Sequence, residues 1–273
     1  LKQNKLFDLS NDKNELNDND GIVSIIVPCY NESPTIKPML VYLDIYSSDP
    51  SKIEIILIDG NSPDIDNLRK AVKEIEPYLN IKSSQIKIIS KEGVSGRGTC
   101  QNVGALESNG EYLLFMHADT VLPNNYDLII RNTLKNKNIL LGAFQFAIDR
   151  SLMQRPIVGI GWVEFFARFR NKSLKLPYGD QSLWITKDNF VEIGGFKWVC
   201  ILEDIEFVFR CREIAAMSKK IIYIDPNFAY CAPRRWEKNG VAKNTVWNQW
   251  VIFLFQKVGL APTRIYEIYY GRK

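Results

Sequence analysis

Histidine occurs once in 273 residues, at His117, and the five cysteines (Cys29, Cys100, Cys200, Cys211 and Cys231) are scattered with no C-x-x-C pair among them. A zinc site built from Cys and His is therefore not indicated, and an odd set of unclustered thiols gives no disulfide framework. A reducing compartment, the cytoplasm, is the corresponding expectation. No apolar run approaches the roughly 18 residues needed to span a bilayer as a helix. An excess of one charge sign is missing too. A formal net charge of +4 is too small to argue for nucleic acid as a partner, although it suits a protein that holds an anionic small molecule. There is no repeat of solenoid period and no low-complexity tract beyond residues 1–20. The first residue is Leu1 rather than Met, so a processed product, its targeting segment already removed, is expected.

What is present alternates. Residues 1–20 are rich in Asn, Asp and Lys and read as a mobile polar tail. Ile22-Val-Ser-Ile-Ile-Val27 is a β-branched run that reads as a buried strand, followed by a loop at Pro28-Cys-Tyr-Asn-Glu-Ser33. A helix is expected to begin near Pro34 or Pro38, carrying Ile36, Met39, Leu40 and Leu43 on one face. The pattern recurs with a strand at Ile53–Ile58, a loop at 59–64 and a helix through Leu68, Ala71, Val72 and Ile75. A short strand at Ile86–Ile89 then leads to the glycine-dense loop 91–99 and a helix through Asn102, Ala105 and Leu106. This alternation implies a mostly parallel, Rossmann-like α/β sheet with helices on both faces.

The stretch around which the chain is organised is Glu111-Tyr-Leu-Leu-Phe-Met-His-Ala-Asp-Thr120. Tyr112–Met116 is apolar without a break, which reads as a strand buried on both faces of a parallel sheet. Ligands of open α/β sheets gather beyond the carboxyl ends of the strands, so an acid there, Asp119, is a candidate for a phosphate-bearing substrate and its metal. Asp119 reads equally as a turn residue before Pro123. Past it the rhythm changes. Leu140–Ile148 partly alternates, as a strand with one wetter face would, and Val158–Phe169 reads as an aromatic-rich amphipathic helix. A loop at 176–181, a turn at Gly194-Gly-Phe196, a helix opening on Glu203-Asp204 and a strand at Ile221–Ile224 follow.

Several motifs now stand in order: Pro28-Cys-Tyr-Asn-Glu32, Asp59-Gly-Asn-Ser62, Gly96-Arg-Gly98 with Asn102-Val-Gly-Ala105, His117-Ala-Asp119, Gly179-Asp-Gln181, Gly194-Gly-Phe196, Glu203-Asp204 and Arg234-Arg-Trp236. Together, from about Gly21 to Gly240, they resemble the family 2 inverting glycosyltransferases of GT-A fold, most closely a branch that carries H-A-D-T and a closing R-R-W-E-K. The resemblance implies a single GT-A domain over 21–273, with a nucleotide-binding half (21–120), an acceptor and catalytic half (121–240) and C-terminal helices (241–273). It implies a nucleoside-diphosphate sugar donor, UDP-linked by first expectation, and transfer of the sugar to an acceptor hydroxyl. Asp119 takes the place of the second acid of the D-x-D motif and so of a divalent-metal ligand. His117 stands where the first acid is usual. Imidazole suits Mn²⁺ better than Mg²⁺, so the departure favours manganese or leaves His117 on the ribose.

By the same resemblance Asp204 is the base that takes the acceptor proton and Glu203 orients it. Pro28, Tyr30 and Glu32 wall the base and ribose, Asp59 accepts a hydrogen bond from the base edge, and Arg97 reaches base or phosphate from its glycine loop. Asp180 touches the donor sugar. Arg234 and Arg235, with Lys238 nearby, clasp the diphosphate. Turn capping is the lesser alternative for Asp59 and Glu32, and helix-end charge for Glu203 and Asp204. Tyr178, Trp184 and Trp198 offer either sugar-stacking faces or core. The helix 241–258 is first expected to cover the sheet. A membrane surface beside a lipid-linked acceptor, or a homodimer contact, are its alternatives. Two rival readings remain: a non-catalytic relative that binds nucleotide sugar or a protein partner, and a sugar-phosphate nucleotidyltransferase that would release pyrophosphate.

Overall fold

The structure, a computed structural model, describes residues 21–271. The polar tail expected at 1–20 and the last two residues of the C-terminal segment lie outside the described residues. One eight-stranded sheet organises the chain, in the order β3-β2-β1-β4-β7-β6-β8-β5. Its first half comprises β1 (Val23–Cys29), β2 (Ile53–Asp59), β3 (Ile86–Ser90) and β4 (Tyr112–Phe115). These four run parallel, in a register that sets Cys29 beside Asp59, Asp59 beside Ser90 and Ile26 beside Phe115. β1, β2 and β4 are almost wholly buried, as unbroken apolar runs require when helices cover both faces.

Those helices are α1 (Ser33–Tyr46), α2 (Ile65–Ile75), α3 (Arg97–Glu107) and α4 (Tyr126–Leu134). Ile25, Val27, Ile55 and Leu57 pack with Ile36, Leu40, Leu68 and Ile130 on one face. Ile26, Ile56 and Leu113, one residue out of phase, pack on the other with Ala105 and Phe207. The helix after β1 starts before either proline, and Pro38 lies inside it. The expectation that a proline must stay within the first turn is corrected here by tertiary packing: Ile36, Met39, Leu40 and Leu43 are all buried and hold the helix through the missing N–H.

The second half departs from parallel order. β7 (Leu183–Thr186) runs antiparallel to β4, and β6 (Ile139–Ile148) antiparallel to β7. β8 (Ile221–Cys231) runs parallel to β6 with register shifts, and the two-residue β5 (Thr120–Val121) closes the edge antiparallel to β8. The sheet is thus mixed, and β4 sits at the seam between its two halves rather than inside a parallel sheet. β8 also runs well past the expected Ile221–Ile224. The wetter face expected of β6 is absent, because every residue of the strand except the partly buried Gln145 is buried. Trp184 lies against the β6 backbone: a Cβ at Gly142 would stand 2.1 Å from its ring.

Three helices sit over this half: α5 (Ile160–Leu174), α6 (Lys187–Ile193) and α7 (Glu203–Ser218). Beyond them come α8 (Arg234–Asn239), α9 (Val241–Phe253), a π-helical turn at Leu254–Val258 and α10 (Pro262–Tyr270). α9 does less over the sheet than expected. Val241 at its start joins the cluster of Phe146, Ile148 and Cys231, whereas Val251 and Ile252 pack with Leu202, Ile205 and Ile265. α5 is amphipathic, but its aromatics face outward. Its buried residues are Ile160, Glu164, Ala167 and Asn171.

Buried acids fasten the edge of the sheet where the parallel strands begin. Glu54 accepts from Ser24 Oγ at 2.6 Å and from the backbone and side-chain nitrogens of Asn109 at 2.8 Å, and pairs with Lys87 at 2.6 Å. Asp127, fully buried, accepts from Ser48 N at 2.7 Å, Ser48 Oγ at 2.8 Å, Asp49 N at 3.2 Å and Arg131 Nη2 at 2.7 Å. Removing that carboxylate strands two backbone donors and a guanidinium. Asp127→Ala is therefore expected to lower stability by roughly 3–5 kcal/mol, read as a lower urea midpoint at unchanged slope. A loss within 0.5 kcal/mol, about that of an ordinary surface substitution, would contradict the assignment.

Candidate active site

The parallel strands end on one edge, and every predicted site residue of the first half follows from those ends. At the end of β1, Pro28 lies in the strand, Tyr30 stands largely in solvent, and Asn31 takes a left-handed backbone. Asn31 N donates to Ser62 Oγ at 3.1 Å and Gly60 N to Cys29 O at 2.8 Å, which ties the β1 and β2 loops together. Glu32 accepts from Thr35 Oγ1 at 2.8 Å at the start of α1. Asp59 is buried. Its Oδ1 accepts from Ser62 N at 3.0 Å and its Oδ2 from Ser90 Oγ at 2.9 Å. Each oxygen of Asp59 thus holds a loop, and recognition of a base edge would have to use the remaining lone pairs.

His117 and Asp119 follow β4. Burial holds His117 well below the ordinary imidazole range, and the charges of Arg97 and Arg235 push it the same way, so the ring is neutral near pH 7. Its Nε2 is buried without a hydrogen-bond partner among the described residues, an arrangement that calls for a bound group or water. Asp119 is placed by β5, whose pairing of Thr120 with Cys231 carries on to Ala232 N donating to Asp119 O at 3.2 Å. That contact delivers α8. Arg234 Nη2 lies 3.2 Å from Asp119 Oδ2 and 3.7 Å from Glu32 Oε2, bridging the β1 and β4 loops. Trp236 turns inward against Phe146, ring centroids 5.8 Å apart. Arg235 and Lys238 are exposed.

The second half contributes its acids from the starts of elements. Antiparallel β7 places Leu183 opposite Phe115, so the turn Gly179-Asp-Gln181 before it comes to the same edge. Gly179 N donates to Asp204 Oδ2 at 2.7 Å, and a Cβ on Gly179 would stand 2.9 Å from that oxygen. Only glycine allows the turn to come so close. Arg97 Nη1 lies 3.3 Å from Glu203 Oε1, which joins the start of α3 to the start of α7. The same two segments are locked by Asn102, whose Nδ2 donates to Phe196 O at 2.8 Å while its Oδ1 accepts from Phe196 N at 2.9 Å. Glu203 is buried. Desolvation raises its carboxyl above the ordinary range, Arg97 opposes the rise and Asp204 adds to it.

Asp180 is partly exposed as a residue, yet its Oδ1 is buried and has no partner among the described residues. Burial raises its pKa to about 6, against the pull of Arg170 and with the push of Asp204. Arg170 was not legible in the sequence. It reaches from α5 to lie 3.4 Å over the Tyr178 ring, donating from Nε to Leu176 O at 2.8 Å and from Nη2 to Gln181 Oε1 at 2.9 Å. It thereby holds the turn that presents Asp180. One face of the Tyr178 ring is thus covered by Arg170, and Trp184 is fully buried in the core, which corrects its candidacy as a sugar platform. Trp198 is exposed.

For a divalent ion the fit is partial. Among the described residues no group of three or more His, Cys, Asp or Glu is arranged to hold a metal. The Asp119 carboxylate, engaged by Arg234, and the unpartnered imidazole of His117 would leave an ion's other positions to substrate phosphates and water.

Comparison with known proteins follows this geometry. The family model described as Glycosyl transferase family 2 matches residues 24–197. A poly-beta-1,6-N-acetyl-D-glucosamine synthase of Staphylococcus epidermidis is 30% identical over 217 residues, covering 71% of this chain and 49% of that protein. A dolichyl-phosphate beta-glucosyltransferase of Trichomonas vaginalis is 32% identical over 102 residues, 35% of this chain and 28% of its own length. The chain thus spans half or less of these relatives. Among solved structures, the mannosyltransferase PcManGT of Pyrobaculum calidifontis in complex with GDP-Man and Mn²⁺ aligns at TM-score 0.55 and 18% identity, over 77% of this chain and 56% of that one. TarS 1–349 of S. aureus in complex with UDP aligns at 0.56 and 15%, over 86% and 66%. At these identities the likeness establishes the fold, the mostly parallel sheet flanked by helices of the GT-A type.

The raised Asp180 gives a stability test whose sign is fixed. Its folded pKa of about 6 lies above the ordinary aspartate value of 3.8, so the native state holds the proton more tightly and stability is lost as pH rises through that window. Relative to Asp180→Asn, wild type is expected to weaken by up to about 3 kcal/mol between pH 4 and pH 7. Urea titrations of both proteins at the two pH values measure the difference, and equal pH dependence would refute the buried carboxyl.

Proposed function

The chain belongs to glycosyl transferase family 2, and from that premise we propose that it is an inverting glycosyltransferase, moving a sugar from a nucleoside-diphosphate donor to an acceptor hydroxyl. One observation carries the reading: acids and arginines from both halves, Asp119 with Arg234 and Glu203-Asp204 with Arg97, meet on the edge where the parallel strands end. UDP is the first donor to test, because the TarS structures are in complex with UDP and with UDP-GlcNAc. PcManGT, in complex with GDP-Man, makes GDP the second.

In this reading Tyr30, Pro28 and Glu32 flank base and ribose, Asp59 holds their loop, and Asp180 meets the donor sugar. Gly179 N–H orients Asp204 through one oxygen and leaves the other to take the acceptor proton. The acceptor oxygen bonds to the anomeric carbon as the bond from that carbon to the diphosphate oxygen breaks on the opposite face. The proton passes to Asp204, and the electron pair leaves with the nucleoside diphosphate. Glu203, paired to Arg97, keeps the start of α7 in place. Arg234, which pairs with Asp119 and Glu32, clasps the diphosphate together with Arg235 through charge-assisted hydrogen bonds. A divalent ion shared by Asp119, His117 and the diphosphate, Mn²⁺ ahead of Mg²⁺ because of the imidazole, would neutralise charge on the leaving group.

Titration calorimetry of UDP and then GDP, with Mn²⁺, with Mg²⁺ and with chelator, is the first test. Tight binding of one nucleoside diphosphate that depends on metal in wild type and is lost in Asp119→Ala is expected. Equal affinity with and without metal in both proteins would remove the metal assignment, and no binding of either nucleotide would favour the non-catalytic rival. With donor sugar and acceptor supplied, Asp204→Asn should cut kcat by about 10²–10⁴-fold at nearly unchanged donor affinity. Release of pyrophosphate from nucleoside triphosphate and sugar phosphate would instead identify a nucleotidyltransferase.

A further inference from the structure

Helix α5 turns its aromatic side to solvent. Trp162, Phe165, Phe166 and Phe169, spaced as one stripe of the helix, are 66, 49, 56 and 59% exposed, and the first three rings touch one another. Helix α9, which packs against α5, continues the pattern with exposed Val246, Trp247, Trp250 and Phe253. Soluble surfaces seldom expose so many large apolar side chains on adjoining helices without a partner.

The charges around this face choose the partner. Between residues 155 and 175 the bases are Arg155, Arg168, Arg170, Lys172 and Lys175, and the one acid, Glu164, is buried and paired with Arg150. Between 241 and 270 there are Lys243, Lys257 and Arg264, and the one acid, Glu267, is paired with Arg264. Arg168, Lys172, Lys175, Lys243 and Lys257 are exposed. A second copy docking through the same face would set base against base. An anionic bilayer matches both features, since aromatic rings enter the headgroup region while lysine and arginine meet lipid phosphates.

We propose that the exposed aromatic faces of α5 and α9, with their basic flanks, dock the protein peripherally on an anionic membrane surface. No helix of the described residues is long and apolar enough to cross a membrane, so the contact lies in the interface. The placement bears on the site. Val251 and Ile252, on the buried side of α9, pack against Leu202 and Ile205 at the start of α7, beside Glu203 and Asp204, so α9 stands between the docking face and the start of α7. The proposal stands on these surfaces alone and does not require the transferase reading.

Cosedimentation with vesicles of phosphatidylcholine, with and without about 30% phosphatidylserine, tests it. Wild type is expected to bind the anionic vesicles at least about tenfold more tightly than the neutral ones. The variant W162S/F165S/F166S/F169S should lose about tenfold or more of that binding while keeping its urea midpoint. The triple variant R168E/K172E/K243E, confined to exposed positions, should remove the preference for anionic lipid. Wild-type binding that ignores lipid charge, or undiminished binding by the aromatic variant, would overturn the proposal. So would a sedimentation result in which wild type is a dimer that ignores vesicles and the aromatic variant is a monomer, since the face would then belong to a second copy.

Discussion

The antiparallel pairing of Thr120 and Val121 with Cys231 and Tyr230 is two residues long on each side, yet it joins two parts of the site that are far apart in sequence. It continues the chain beyond β4 along β8 and sets Asp119 beside Ala232, so that Arg234 emerges within reach of both Asp119 and Glu32. Without it the carboxylate after the fourth strand and the arginines near the C-terminal end would share no frame. The pairing is supported from behind. Cys231 also packs with Phe146 and Ile148 of β6, and its thiol donates to Asp180 O at 3.1 Å, which fastens the Gly179–Gln181 turn to the same strand. One short ladder thus sets three loops relative to one another.

A second constraint governs the acids. Glu203 and Asp204 open α7, where the helix dipole favours negative charge, but both have further partners: Arg97 from α3, and the Gly179 N–H from the turn before β7. The reciprocal hydrogen bonds of Asn102 with Phe196 hold α3 and the segment before α7 at fixed separation. The carboxylates are therefore oriented by a backbone N–H and by the Arg97 guanidinium, on elements whose separation is already fixed.

The strands of the first half and the position of Asp119 were legible in the sequence because unbroken apolar runs mark buried strands and acids follow their ends, whereas Glu203 and Asp204 were legible as acids that open a helix. The second half was less so. Nothing local signals that β7 reverses direction, and β6 was misread because residues of intermediate polarity imitate an alternating pattern in a strand that both sides bury. α5 shows a different limit. Its periodicity identified two faces, but the larger apolar side chains lie on the outer one, and the inner one is held by small residues and by Glu164, which accepts from Ile148 N at 3.0 Å. Arg170 and Asn102 act through partners distant in sequence or borne by backbone atoms, so residue type gave no cue. Asp59 shows the converse. Its place at a strand end was correctly expected, and its two serine partners display the turn-capping role that was the alternative to base recognition.

The buried acids at the far edge of the sheet have a consequence for how the molecule opens. Glu54 and Asp127 each tie several donors where the parallel strands begin, while at the opposite edge Tyr30, Arg234 and Arg235 stand exposed. Local unfolding takes the path of fewest buried contacts. Amide protection should accordingly grade along each strand, deepest behind and shallowest in front, so that fluctuations large enough to admit a bulky donor leave the register of the sheet untouched. The scaffold behaves as a stiff cantilever clamped at one end, and its free end is where the chemistry is carried.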